Sequence, residues 1–300
     1  RRFLKCLVAC GVIRCSLPLW QLLNKPQVEV LPYLINRGHT ALTLADHIIC
    51  LQKLNGACYS ALARTFDARA RRRAGITCVG HPFIHYNDDC LQQRIAGEAK
   101  RLRRELGVND DKVLLGVFPG SRPRSIVRLL PKLVSACKIV LADRPPQSIR
   151  VAVSVANRHC ESAILSCCDR LQSISTTYAD ADALLRACDY AVMSSGTITL
   201  QAACLGVPGV VAYTVADKWT LKWLGMHAFV RRCKMSDGKL APFALPNAML
   251  YGEYMYPECV LEDCSEDMIA KAMLEGLCDK HAAETIRGRR QDLFDQLEGE

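Results

Sequence analysis

Short apolar runs of strand length recur along the chain and alternate with stretches of helical periodicity. The runs lie at residues 7–13, 46–51, 76–79, 113–118, 150–155, 171–175, 190–193 and 209–213. Amphipathic stretches such as 129–141 and 180–188 fall between them. Near-continuous apolar strands separated by helices predict an α/β, mostly parallel, doubly wound sheet of Rossmann-like type. In such sheets a ligand sits beyond the carboxyl ends of the strands.

A polar segment, Tyr86-Asn87-Asp88-Asp89, follows Gly80-His81-Pro82 and serves as the linker. It divides a front part, 1–85, from a fuller α/β domain, 86–262, and a charged tail, 263–300, that reads as helices. The front part offers three strand runs where a doubly wound domain usually has about five or six, so it reads as a remnant. The tail helices are expected to pack back on the domain or to contact a second copy.

Two loops carry the candidate chemistry. Pro119-Gly120-Ser121-Arg122 follows the run 113–118, and Ser194-Ser195-Gly196-Thr197 follows the run 190–193. Each stands between a strand and a helix. Small residues there let backbone N–H groups face an anion, and the helix adds the positive end of its dipole. Ser121 offers a hydroxyl and Arg122 a bidentate fork. Gln201, one turn into the second helix, is placed to reach a sugar hydroxyl. Two such turns in one domain suggest a nucleotide diphosphate site. The plainer alternatives are an ordinary turn at the first loop and a Ser/Thr cap of a structural helix at the second.

The formal charge of +9 favours acidic partners. Aromatic residues do not interleave with the arginine clusters at 69–73 and 101–104, which argues against nucleic acid; both clusters read as solvated helix faces. The 17 cysteines form no Cys-x-x-Cys pair and mostly sit in apolar runs, as small reduced hydrophobes rather than zinc ligands or disulfides. The amino terminus, Arg1-Arg2-Phe3-Leu4-Lys5 with an apolar run behind it, imitates a signal peptide but lacks a small-residue cleavage site, and reads as a buried strand. No run approaches the roughly 18 apolar residues of a membrane helix.

One stretch suits a membrane surface. In 218–232, Trp219, Trp223 and Met226 recur at helical spacing among Lys218, Lys222, Arg231 and Arg232. That is the profile of an interfacial amphipathic helix, against the alternative of a core helix with snorkelling lysines. His81, between Gly80 and Pro82, reads as a hinge-loop residue held by hydrogen bonds, and His39 as a turn residue.

Taken in order, several motifs resemble the lipid-A-disaccharide synthase family over residues 10–275. They are Cys78-Val79-Gly80-His81-Pro82, Gly116-Val117-Phe118-Pro119-Gly120-Ser121-Arg122, Ser195-Gly196-Thr197-Ile198-Thr199-Leu200, Gly206-Val207-Pro208 through Tyr213, Leu245-Pro246-Asn247 and Tyr256-Pro257-Glu258. Val12-Ile13-Arg14-Cys15-Ser16-Leu17-Pro18-Leu19-Trp20 adds a further similarity. The resemblance implies an inverting glycosyltransferase of GT-B architecture, two Rossmann-like domains facing a cleft. Its reaction joins UDP-2,3-diacylglucosamine to 2,3-diacylglucosamine 1-phosphate and releases UDP, on the cytoplasmic face of a bacterial inner membrane. By the same resemblance Gly120, Ser121 and Arg122 sit at phosphates, and Ser195, Gly196 and Thr197 hold the diphosphate through backbone amides. Asn247 faces the cleft, and Glu258 belongs to the donor site. No metal or other cofactor is implied. The partners are the UDP-diacylglucosamine donor, the lipid acceptor and an anionic membrane, with a homodimer or a complementing amino-terminal polypeptide as further expectations.

Three departures accompany the resemblance. The family's glycine-rich first loop and its aspartate base belong to an amino-terminal portion not in this sequence, so the chain is expected to be a truncated, split or decaying member in which the catalytic base is missing. The family's glutamate is Gln201 here, and its acidic residue after Gly-Ser-Arg is Ser125. The alternatives are another GT-B enzyme (a UDP-N-acetylglucosamine 2-epimerase or a peptidoglycan glycosyltransferase) and a catalytically dead nucleotide-sugar or lipid binder.

Overall fold

A computed structural model describes residues 28–31, 47–50, 75–78, 80–145, 147–168, 174–214, 242–250 and 254–298. The chain forms two compact units, one of Arg1–His85 with Asp292–Glu300 and one of Tyr86–Gln291. In the first unit, β1 (Val28–Leu31), β2 (His47–Cys50) and β3 (Gly75–Cys78) pair in parallel in the order β1-β2-β3. Strand β1 has no counterpart among the expected strands, because Glu29 interrupts its apolar character. The strand expected at 7–13 and the amphipathic stretch 218–232 lie outside the described residues. His81 is buried; its backbone N–H donates to Leu297 O at 2.7 Å, and its Nδ1 accepts from Phe83 N–H at 3.0 Å.

The second unit opens with α1 (Asp89–Glu105) and continues β4 (Val113–Phe118), α2 (Pro123–Asp143), β5 (Ile149–Ser154), α3 (Arg158–Cys168), β6 (Ile174–Thr177), α4 (Ala181–Ala187) and β7 (Tyr190–Ser194). Then come α5 (Thr197–Leu205), β8 (Gly209–Tyr213), α6 (Leu245–Met249), β9 (Glu258–Val260), α7 (Glu266–Cys278) and α8 (Ala282–Gly288). The six strands form one all-parallel sheet in the order β6-β5-β4-β7-β8-β9. This is the doubly wound Rossmann order, and its direction reverses between β4 and β7.

Apolar alternation is absent in the central strands because both faces are covered. Leu115, Val117, Val151, Val153 and Val192 are fully buried, packed with Ile126, Leu130 and Leu133 of α2. Burial of each such side chain contributes about 2 kcal/mol. Helix α7 packs against α2 and β8, so the start of the tail is part of this core. Gly276 of α7 meets the Tyr190 ring so closely that a Cβ there would lie 2.3 Å from it.

Two expectations shift. The strand expected at 171–175 is β6, Ile174–Thr177, an edge strand in which only Ile174 is buried. Its polar Ser175-Thr176-Thr177 gives no apolar signal. The arginines at 101–104 are not one solvated face. Arg101 pairs with Glu105 on the surface, but Arg103 tucks inward to Asp189 at 2.8 Å and to the carbonyls of Ala187 and Lys112.

Candidate donor-binding site

The register pairs Phe118 of β4 with Met193 of β7, so the loops that leave these strands emerge side by side. They flank the point at which the strand order reverses, where doubly wound sheets hold their ligands. The contact is close. A Cβ on Gly120 would lie 2.9 Å from Ser194 Oγ, and Gly120 has φ +99°, a conformation that side chains disfavour. Gly196, at φ +152°, faces open space: an added Cβ there would meet nothing within 4 Å.

Some helices of this unit are capped by side chains and others are not, α6 and α8 among the uncapped. Side-chain oxygens cap α1 (Asp88), α4 (Asp180) and α7 (Ser265). Helices α2 and α5 begin at Arg122 and Gly196 with no side-chain cap. Pro123 has no N–H, Ser125 N–H donates to Arg122 O and Thr199 N–H to Gly196 O, so the N–H groups of Arg124, Thr197 and Ile198 are those left to an outside acceptor. The Ser/Thr cap considered for α5 is not formed. Ser195 instead donates to Phe243 O at 2.6 Å, and Thr199 donates to Gly196 O at 2.8 Å. Ser121, Arg122 and Thr197 are exposed at the rim.

Behind the second loop a polar scaffold fixes its shape. Glu258, the first residue of β9, accepts from the backbone N–H groups of Phe243 (2.9 Å) and Ala244 (2.9 Å) and from Asn247 Nδ2 (2.8 Å). Burial pushes the Glu258 carboxyl up, and these donors draw it partly back. Leu245 N–H donates to Thr199 Oγ1 at 3.2 Å, and the Phe243 ring lies against Tyr213. The segment 243–247 is thus tied at one end to the loop and at the other to β9.

Asn247 corrects an expectation. Rather than facing a cleft it is fully buried, donating to Tyr256 O and Glu258 and accepting from Met255 and Tyr256 N–H. A buried amide must satisfy all of its polar atoms, and these four bonds do so. Gln201 is likewise engaged. Its Nε2 donates to Asp182 Oδ1 at 3.1 Å, beside the Tyr86 hydroxyl.

Sequence reasoning did not find Asn157, in the loop after β5, whose Nδ2 reaches Ser121 O at 3.4 Å; Cys160 Sγ donates to the same carbonyl at 3.2 Å. No signal pointed to either residue, since their partner is main chain. Trp219, Lys222, Trp223 and Met226 lie outside the described residues. Ten cysteines between Cys90 and Cys278 are free thiols, and burial pushes Cys137 and Cys204 up to about 12, away from nucleophilic use. A cavity of about 260 Å³ opens at the opposite, amino edge of the sheet. Tyr190, Gly209, Glu275 and Asp279 line it, with no basic residue, so it does not suit a phosphate. No described helix is long and apolar enough to cross a membrane.

The fold has solved counterparts. Over 87% of this chain and 64% of the other, it resembles a UDP-GlcNAc 2-epimerase from Neisseria meningitidis bound to UDP-GlcNAc, with TM-score 0.56 and 10% identity. A UDP-forming trehalose-phosphate synthase from Burkholderia xenovorans gives TM-score 0.50 at 13% identity, over 93% and 67% of the two chains. Among curated proteins, a lipid-A-disaccharide synthase of Nitrosococcus oceani is 29% identical over 76% of this chain and 54% of its own length. One from Xylella fastidiosa is 29% identical over 84% of this chain and 59% of its own. The chain spans about half the length of the curated relatives it matches. A sequence profile described as lipid-A-disaccharide synthetase matches residues 72–300, and by that match the chain belongs to the lipid-A-disaccharide synthetase family.

Proposed function

We propose that the second unit binds the UDP-sugar donor of a glycosyl transfer joining UDP-2,3-diacylglucosamine to 2,3-diacylglucosamine 1-phosphate. The observation that carries this reading is the meeting of the Gly120 and Ser194 loops at the switch point, each leading into a helix without a side-chain cap. Family membership supplies the substrate class.

In this reading the pyrophosphate lies across both loops. Backbone N–H groups of Ser195, Gly196 and Thr197 hold one phosphate, and those of Gly120 and Ser121 the other, with Arg122 over the outer oxygens. When the acceptor hydroxyl attacks the anomeric carbon and its bond to UDP breaks, negative charge builds on the departing diphosphate. Arg122 and the two helix ends stabilise it in this reading. Gln201 takes the nucleoside sugar. Asn247 and Glu258 act from behind by holding the loop. A general base outside the second unit takes the acceptor's proton. The stretch 218–232, with Trp219, Lys222, Trp223 and Met226, brings the site to an anionic membrane of the bacterial cell, where both acylated substrates reside.

Titration calorimetry with UDP tests the site. The expected result is saturable binding that weakens with salt and falls about tenfold in Arg122→Ala, equivalent to about 1.4 kcal/mol. Absence of UDP binding at millimolar concentration overturns the assignment. Thin-layer chromatography of a reaction with both lipid substrates tests the transfer itself. Sedimentation with anionic vesicles, for the parent and for Trp219→Ala/Trp223→Ala, tests the membrane contact.

A further inference from the structure

One polar cluster of the second unit stands apart from the phosphate loops. Tyr86, ahead of α1, places its hydroxyl 2.7 Å from each oxygen of Asp182, in the first turn of α4. Gln201 of α5 donates to the same carboxylate from Nε2 at 3.1 Å and stands 3.4 Å from the Tyr86 hydroxyl. The three meet because α4 packs against both α1 and α5. Asp182 and Gln201 are half-buried, and Tyr86 is buried.

A carboxylate accepts hydrogen bonds and cannot donate them. Beside Asp182, therefore, the glutamine amide can turn only its NH₂ end inward. An unconstrained glutamine offers a ligand either end, donor or acceptor. Here the amide plane is settled, and Oε1 is the end left to accept. Among the described residues Oε1 accepts no hydrogen bond. The charge of Asp182 also polarises the amide, which strengthens Oε1 as an acceptor.

We infer that Asp182 is a positioning residue: it locks the Gln201 amide so that its carbonyl oxygen accepts the hydroxyls of the donor's nucleoside sugar. This rests on the reading of the second unit as a UDP-sugar site and names what sets its ribose preference. It also explains why an amide suits position 201. A glutamate there would set two carboxylates about 3 Å apart, which cannot both ionise cheaply.

The test compares UDP, 2′,3′-dideoxyuridine diphosphate and inorganic pyrophosphate by calorimetry on the full chain. In the parent, loss of both hydroxyls weakens binding about tenfold. In Asp182→Ala the ratio between UDP and its dideoxy analogue falls towards one, while pyrophosphate affinity stays at the parent value. Gln201→Glu weakens UDP binding, and Asp182→Asn/Gln201→Glu regains the parent's ratio by removing the carboxylate clash. Retention of the full ratio in Asp182→Ala overturns the inference. So does failure of the double variant to recover it, and that arm decides the matter should Asp182→Ala melt near room temperature. If the parent binds neither UDP nor pyrophosphate, the donor-site reading itself fails, a result distinct from either.

Discussion

Ser194 Oγ stands 2.9 Å from the place a Cβ on Gly120 would occupy, so each loop limits the other. Gly120→Ala meets two penalties at once: a positive φ that alanine disfavours and a contact that pushes Ser194 away. The expected outcome is a loss of about 1–2 kcal/mol in unfolding free energy. UDP affinity should fall by at least tenfold, more than the stability change alone accounts for, as chemical denaturation and calorimetry read in parallel.

Asn247 is the central joint of the scaffold behind the loop. In Asn247→Ala, two backbone N–H groups, the Tyr256 carbonyl and the Glu258 carboxylate each lose a partner inside the protein. Buried polar groups without partners cost about 1–3 kcal/mol each, so a fall of about 3–4 kcal/mol is expected in urea denaturation. Asn247→Asp keeps the size but sets a carboxylate against Glu258. Its stability should recover as pH is lowered, because protonating either group relieves the repulsion.

How much of this was visible beforehand varies by element. Central strands such as β4 and β7 announce themselves as unbroken apolar runs because both faces are covered, and their small-residue exits follow directly. The three-residue β9 carries no such pattern; its pairing with β8 defines it. Strand β6 is displaced from its expected place because its edge position tolerates hydroxyl side chains. Motif order pointed to Asn247 and Glu258, but a motif does not say whether a polar side chain faces ligand or core. Burial decides that, and it depends on segments far apart in sequence. Asp182 and Gln201 are brought together by helix packing, which no local pattern records.

His81 predicts a pH response in the first unit. Burial, with a smaller contribution from His85, lowers its folded-state value to about 4 from an ordinary 6.5. Between those values the unfolded chain binds the proton and the folded chain does not. Its contribution is therefore fully present above pH 6.5 and lost as pH falls towards 4, by about 3 kcal/mol. Urea titrations at pH 7.5 and 4.5 should show this difference, and His81→Gln should flatten it.

Gly276→Ala offers a contrast remote from both loops. The new methyl would run into the Tyr190 ring at 2.3 Å. Overpacking of this kind costs about 1–3 kcal/mol. Thermal melts should register the loss, while UDP affinity measured well below the transition stays unchanged.

Glu258 opens the outermost strand on its side of the sheet, with β8 between it and β7, yet through Phe243 it governs how the Ser195 turn rests. If the donor-site proposal holds, ligand preference is adjustable from this outer strand. Substitutions around 254–258 would then reshape the Ser195 turn without altering any residue of the two loops.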